Sequence, residues 1–358
     1  MYKRQQLGIA DEMIVGPEYE FYVFDQANYV TKPQEMGFTA NTRQAEWASG
    51  EAGNNGYQVA HKAGYHTSLP MDITNDLRSR ICLRMEDWGV KVKYHHHEVG
   101  GCGQLEVEVE LGEMTKMADN TMVAKYIIKN SAMEAGRTAT FLPKPVADEA
   151  GSGMHVNVSI HRDGKNLFQG DIAPDSEAGH FIAGILAHAR ELTCFCNPIP
   201  NSYTRFGSCE APKYVSWSRQ NRSQLVRIPM VKGDNCRMEL RSPDPACNPY
   251  LAIGLILAAG LDGIEQRMVL QPPVNRNLFD SAEAKGLGLE TLPATLEEAV
   301  QVAEESEFLR RVLPEGLSKR YFSEELKRCA ALRSAPDRAE HERVYYFCLL
   351  YTSPSPRD

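Results

Sequence analysis

Carboxylates recur at two-residue spacing in segments that read as strands. Glu18 and Glu20 lie in Ile14–Phe24 (IVGPEYEFYVF), and Glu106, Glu108 and Glu110 alternate with Val107 and Val109 in Gln104–Leu111 (QLEVEVEL). Residues two apart on a strand leave the same face, so each set presents a row of like charge. Either that face is solvated, or a hard divalent cation, which prefers oxygen ligands, removes the repulsion. His95-His96-His97-Glu98 adds candidate ligands. On a strand His96 and Glu98 share one face and His95 and His97 the other, so the three histidines cannot all hold one ion. Gly151-Ser152-Gly153-Met154-His155 is a flexible loop entering a strand that bears a histidine, where glycine permits close approach to a ligand. From Arg205 to Arg241 eight basic residues (Arg205, Lys213, Arg219, Arg222, Arg227, Lys232, Arg237, Arg241) stand against Glu210, Asp234 and Glu239. This +5 segment suits phosphates or carboxylates through bidentate guanidinium bonds, or a solvated face bridged to the acidic strands. Together, acids for divalent ions and an arginine cluster describe metal-assisted phosphoryl transfer.

The rest of the chain narrows the field. It has 358 residues and a net charge of −8, and an acidic chain is a poor candidate for general nucleic-acid binding. The longest apolar run, Tyr250 to Leu261, falls short of the ~20 residues that cross a bilayer. No secretory signal is visible, and the nine cysteines are sparse and never spaced C-x-x-C, which predicts reduced thiols and a cytoplasmic enzyme. No G-x-G-x-x-G follows a strand, and neither G-x-x-x-x-G-K-[ST] nor H-E-x-x-H occurs.

Strands are expected at Ile14–Phe24, Val90–Val99, Gln104–Leu111 and Ser152–Ile160. Helices are expected at Thr74–Trp88, Thr115–Ala135 (stopped by Gly136), Glu177–Phe195 and Asn248–Met268. Thr74 or Asn75 would cap the first helix. Leu296–Glu305 and Ser323–Leu332 read as charged surface helices, and Asn28–Ser68 as a long surface excursion. Strands and helices without a regular βαβ period predict an α+β fold.

Taken in order, the motifs resemble type I glutamine synthetase from about Glu12 to Phe347. They are Gly16-Pro17-Glu18-Tyr19-Glu20-Phe21, His95–Val99 with Gly103–Glu106, Phe141–Pro145 with Gly151–His155, and Asn201–Arg205. Glu210–Pro212, Asn221–Ser223 with Arg227–Pro229, and Arg237–Pro245 complete the series. The resemblance implies a curved antiparallel sheet, a half-barrel, with flanking helices. It implies ATP-dependent ligation of ammonium to the γ-carboxylate of L-glutamate through a γ-glutamyl phosphate, using two or more Mg²⁺ or Mn²⁺ ions per site. By motif position, Glu20, Glu98 and Glu106 would hold one ion, and Glu18, His155 and Glu239 a second. Arg205 and Arg241, with Gly151, would grip the substrate carboxylates. Arg222, Arg227 and Arg237, with Asn157 and Ser159, would face the nucleotide. Glu210 would sit on a closing flap and, with Tyr65, bind ammonium.

The sequence also departs from the family. The Arg205-to-Glu210 connection is one residue short, Asn157 replaces a histidine, and Lys93 replaces an acid near the nucleotide. In Asn277-Leu278-Phe279-Asp280 a phenylalanine replaces the tyrosine of the family's adenylylation loop, so adenylylation there is not expected. The expected division is a non-native start and linker remnant over 1–11, a catalytic domain over 12–347 and a non-native tail over 348–358, with the family's N-terminal β-grasp domain absent. The family's active sites lie between subunits of a dodecamer, with that domain contributing to the neighbouring site, so the chain as written is expected to bind metal and nucleotide weakly and to synthesise glutamine poorly or not at all. A same-fold γ-glutamyl-polyamine or amine ligase is the nearest alternative. A non-catalytic binding homologue is the other.

Overall fold

The computed structural model describes residues 8–32, 34–51 and 54–334. Most of the expected non-native start and all of the expected tail lie outside the described residues.

The strands are β1 (Glu12–Phe24), β2 (Gln26–Lys32), β3 (Glu35–Asn41), β4 (Val92–His97), β5 (Gln104–Val109) and β6 (Gly112–Glu113). They continue with β7 (Thr138–Thr140), β8 (Val156–Arg162), β9 (Lys165–Asn166), β10 (Trp217–Arg219), β11 (Val226–Ile228) and β12 (Met238–Leu240). The helices are α1 (Asn75–Asp87), α2 (Met114–Glu134), α3 (Glu177–Cys196), α4 (Pro249–Glu265), α5 (Ser281–Lys285), α6 (Leu296–Glu305), α7 (Glu307–Val312) and α8 (Glu315–Ser334). Ten strands form one open sheet along β10-β11-β12-β8-β1-β5-β4, antiparallel except for β10 on β11. The fold is α+β, as the mixed pattern predicts.

Period-two alternation divides this sheet into two chemistries. Met13, Val15, Tyr19 and Phe21 of β1, Leu105, Val107 and Val109 of β5, Val156, Val158 and Ile160 of β8, and Met238 and Leu240 of β12 all enter one apolar core shared with the helices. Their alternates, Glu18, Glu20, Glu106, Glu108, Asn157 and Glu239, face the opposite side and line a cleft. Burial of the apolar row fixes the register, because a one-residue slip would exchange the two sets. Helices α3 and α4 pack closely against each other where Gly184 and Gly263 meet: a Cβ on either would come within 2.7 Å of the other's backbone.

Four expectations fail here. The Asn28–Ser68 excursion begins with a hairpin, β2 paired to β3, whose described residues are mostly half-exposed or exposed and so carry no apolar alternation to read. Thr74 does not cap α1: its hydroxyl bonds Asp72 at 2.6 Å and Arg78 at 2.7 Å instead. The C-terminal helix is longer than expected and buries Tyr321, Phe322, Glu325 and Cys329, so it is not simply a surface helix. Glu110 lies beyond the end of β5, is exposed and sits 3.9 Å from Lys91, so it does not extend the acid row.

Candidate active site

The acid-bearing face is not solvated. It walls a cleft of about 440 Å³, in which Glu20, Glu98, Glu106, Glu108, His155 and Glu239 are all more than nine-tenths buried. Pairing of β1 with β5 sets Glu18 directly opposite Glu108 and Glu20 directly opposite Glu106. Like charges placed so are destabilising unless something intervenes. Burial, followed by the Glu98 charge, pushes Glu20 up to about 8. Burial with the charges of Glu18, Glu20 and Glu98 drives Glu106 well above the usual carboxylate range. Glu98 is also raised, chiefly by burial.

Two clusters of ligand type form within this wall. Glu18, His155 and Glu239 bring one donor atom each within 4.8 Å, and so do His96, Glu98 and Glu106. His155 Nδ1 lies 2.9 Å from Glu18, 3.6 Å from Glu20 and 3.7 Å from Glu239. Burial and the neighbouring Arg241 keep its ring neutral, and Nε2 faces an Arg205 nitrogen at 3.3 Å. His96 is held down to about 4, mainly by burial. Its Nδ1 donates to the His97 carbonyl at 3.1 Å, leaving the Nε2 lone pair toward Glu106, 3.5 Å away. A neutral imidazole among oxygen donors is a usable ligand for a divalent ion. The acid-rich donor set therefore fits a hard cation.

The arginines come from β11, from either end of β12 in the same sheet, and from the loops bearing Arg205 and Arg222. Arg227 and Arg241 both clamp Glu239, Arg227 at 2.6 Å. Arg241 also donates to the Glu210 carbonyl at 3.2 Å. Arg222 bonds the Glu210 carboxylate at 3.0 Å and the Tyr65 hydroxyl at 3.4 Å, and lies over the Tyr65 ring. Arg237 donates to Asn157 at 2.7 Å. Arg205 is buried, bonds the Ser242 carbonyl at 2.9 Å and leaves its Nε unpartnered. Gly151 and Gly153 are required by close approach: a Cβ on Gly151 would fall 2.8 Å from the Arg205 side chain, and one on Gly153 2.6 Å from its guanidinium.

All the site residues expected from sequence line this cleft except Ser159, whose hydroxyl meets His161 at 3.1 Å outside it. Glu20 is not among the cluster formed by Glu98 and Glu106, where His96 takes a place. Its carboxylate instead accepts from the Gly153 amide at 2.8 Å and from Gln104 at 3.1 Å. Sequence reasoning did not single out Glu108 or Tyr94, which also line the cleft. The period-two row contained Glu108, but nothing in one dimension separates it from the solvated Glu110.

A family profile described as "Glutamine synthetase, catalytic domain" matches residues 1–344. Glutamine synthetase of Pasteurella multocida is 38% identical over 348 residues, 94% of this chain and 74% of the relative. That of Escherichia coli K12 is 39% identical over 311 residues, 85% of this chain and 66% of the relative. The chain thus spans about two thirds to three quarters of the length of these relatives. Among solved structures, Plasmodium falciparum glutamine synthetase aligns with a TM-score of 0.82 at 27% identity, covering 96% of this chain and 77% of that one. A structure described as a GmaS/ADP complex aligns with a TM-score of 0.75 at 28% identity, covering 96% and 74%. The chain belongs to the glutamine synthetase family, the ATP-dependent glutamate–ammonia ligases.

Proposed function

We propose that this cleft joins ammonium to the γ-carboxylate of L-glutamate, with Glu18, His155 and Glu239 holding one divalent ion and Glu98 and Glu106, with Glu20 or His96, holding another. One observation carries the reading: two acid–imidazole clusters and five arginines converge in one cleft of about 440 Å³. Bound ions would neutralise the acid wall and the phosphates of ATP, with Mg²⁺ or Mn²⁺ both suited to such donors. The arginines do the work on the substrates. Arg205 and Arg241, beside Gly151, bind glutamate carboxylates, and Arg222, Arg227 and Arg237 meet the nucleotide phosphates and the charge that develops in transfer. A γ-carboxylate oxygen displaces ADP from the γ-phosphorus, giving an acyl phosphate. Ammonia then attacks the acyl carbon, and phosphate leaves.

Glu210 and Tyr65, both tied to Arg222, form a small polar acceptor site for ammonium. Closure by the Glu210 loop excludes water, which would hydrolyse the acyl phosphate. We further propose that the chain represents the family's catalytic domain, that it works in the cytoplasm, and that it functions in an oligomer, a dodecamer by family resemblance.

The test is ATP-dependent product formation with ammonia, putrescine or ethanolamine as acceptor, under Mg²⁺ or Mn²⁺, alongside γ-glutamyl hydroxamate formation. Glutamine formed in preference to any amine product supports the reading. Preference for an alkylamine would make the protein an amine ligase of the same fold. No product with any acceptor, under either ion, would overturn the catalytic reading.

A further inference from the structure

Among the described residues, Cys209 and Glu210 are the one adjacent pair other than glycine held in the left-handed region, at φ of 44° and 67°. The Ala211 amide donates to the Ser208 carbonyl at 3.0 Å, and the Gly207 amide donates to the Ala211 carbonyl at 3.0 Å. Ser208–Ala211 is therefore a β-turn with positive φ at both central residues, the type I′ geometry. Such a turn favours Asn-Gly or Gly-Gly, because a Cβ in the left-handed region crowds the next carbonyl. Here both central residues carry a Cβ, and neither is of the types that tolerate that region. An arrangement of this kind persists only where its surroundings over-determine it. The surroundings are two arginines: Arg222 bonds the Glu210 carboxylate at 3.0 Å, and Arg241 bonds the Glu210 carbonyl at 3.2 Å. The Ser208 hydroxyl ties the other side of the turn to the Arg205 carbonyl at 3.1 Å.

We propose that Cys209 is a positioning residue that sets how firmly Glu210 is engaged in the cleft: the arginines pull the carboxylate in, and the strained turn opposes them. The proposal rests on the reading of Glu210 as part of the ammonium site. Because the engaged loop is less favoured than its arginine bonds alone would make it, the loop divides between engaged and released positions. A fractional engaged population weakens apparent ammonium binding by that fraction, and it speeds the opening that product release requires. Cys209 is the position at which to shift this balance, since Glu210 cannot be replaced without losing its carboxylate.

The experiment compares the full chain as wild type, Cys209→Asn, Cys209→Ala and Cys209→Val. Hydrogen–deuterium exchange over residues 207–211, read by mass spectrometry, reports opening of the turn without needing activity. Asparagine tolerates the left-handed region, alanine keeps the Cβ but removes the thiol, and a β-branched valine fits worst. Exchange should slow about fivefold in Cys209→Asn, stay near wild type in Cys209→Ala and quicken about fivefold in Cys209→Val, with thermal midpoints alike. Initial rates at varied ammonium should then show KM and kcat falling together in Cys209→Asn and KM rising in Cys209→Val. Exchange no slower in Cys209→Asn than in Cys209→Ala would overturn the proposal, as would slowed exchange with an unchanged KM for ammonium. If the exchange order holds but none of the four proteins forms product, the ammonium-site reading falls while the strained turn stands. Should Cys209→Val not fold, the comparison of Cys209→Asn with Cys209→Ala decides alone.

Discussion

Two buried histidines in this molecule sit among carboxylates, and their pKa values move in opposite directions. His155, in the cleft, has three carboxylates near Nδ1 but an arginine nitrogen at Nε2. Burial and the arginines win, and its ring stays neutral. His188, on α3, has Glu191 at 3.0 Å from Nδ1 and Asp262 of α4 at 2.9 Å from Nε2. Burial pushes this ring down too, but the two carboxylate bonds outweigh it and its pKa is raised. Phe308 of α7 stacks on the ring, Arg311 continues the chain of charges to Asp262, and the Ser306 hydroxyl bonds Glu191. The contrast follows from burial and the arginines around His155 set against the two carboxylate bonds made by His188.

The sharpest way to break that contrast is to remove each histidine. His155→Ala should lower glutamine synthesis by more than about 100-fold, since even indirect partners of metal ligands are worth 10–100-fold. Its thermal midpoint should hold close to wild type. Steady-state rates and a melting curve on the same preparation check this, and an active His155→Ala would sink the role given to that ring.

His188→Leu should show the reverse pattern. Two carboxylates lose a buried hydrogen-bond partner, at a cost of about 2 kcal/mol. Denaturant unfolding measures this loss, while KM for ATP and glutamate should stay near wild type. Because the folded pKa is raised above the unfolded value, His188 stabilises fully below about pH 6.5 and loses that contribution as pH rises through its folded pKa. The gap between wild type and His188→Leu should therefore narrow toward alkaline pH. A gap that widens would contradict an imidazolium at this position.

The acid wall supplies a third test. In metal-free protein Glu20 is held up to about 8. A raised carboxyl contributes stability below about pH 4.5 that is lost as pH climbs through its folded value. Metal-free melting temperature should thus fall from acid pH to about pH 8, and Mn²⁺ should stabilise more at pH 8 than at pH 6 while releasing protons at pH 7. Calorimetry in buffers of different ionisation enthalpy reads the protons. Metal binding with no proton release would show that Glu20 is already ionised.

The smallest effect is expected at Asn157, which accepts one hydrogen bond from Arg237 and donates to the Glu18 carboxylate at 2.9 Å and the Gly16 carbonyl at 3.1 Å. Loss of one such bond is worth about 1 kcal/mol. Asn157→Ala should therefore raise KM for ATP about fivefold. An unaltered KM would place Arg237 away from the nucleotide.

Much of the catalytic wall was legible before any coordinates. Glu18 with Glu20, and His96 with Glu98, follow from the two-residue period, and the apolar alternates Tyr19, Phe21, Val107 and Val109 mark the face that must be buried. Resemblance to the family placed the arginines in the same cleft, where charge alone left a solvated face equally open. The β2–β3 hairpin was not legible, because its segment is polar and Gly/Asn-rich with little periodicity. Ser159 shares the period of Asn157 and still falls outside the cleft, since a face does not say where a cleft ends.

The sequence by itself determined which side chains share a face, because alternation is a property of the extended backbone. It also set the total charge and the donor types, and through motif order it identified the family. Only the tertiary structure decided which faces meet. The antiparallel register put Glu18 against Glu108 and Glu20 against Glu106, and the arginine segment extended the same sheet through β11 and β12, bringing its guanidinium groups to the cleft. Protonation was decided there as well. His155 and His188 are the same residue type, and their pKa values shift in opposite directions through burial and through neighbours about 3 Å away. Glu191 is three residues from His188 on the same helix, but Glu18, Arg205 and Asp262 are far off in the chain, and only the fold brings them in.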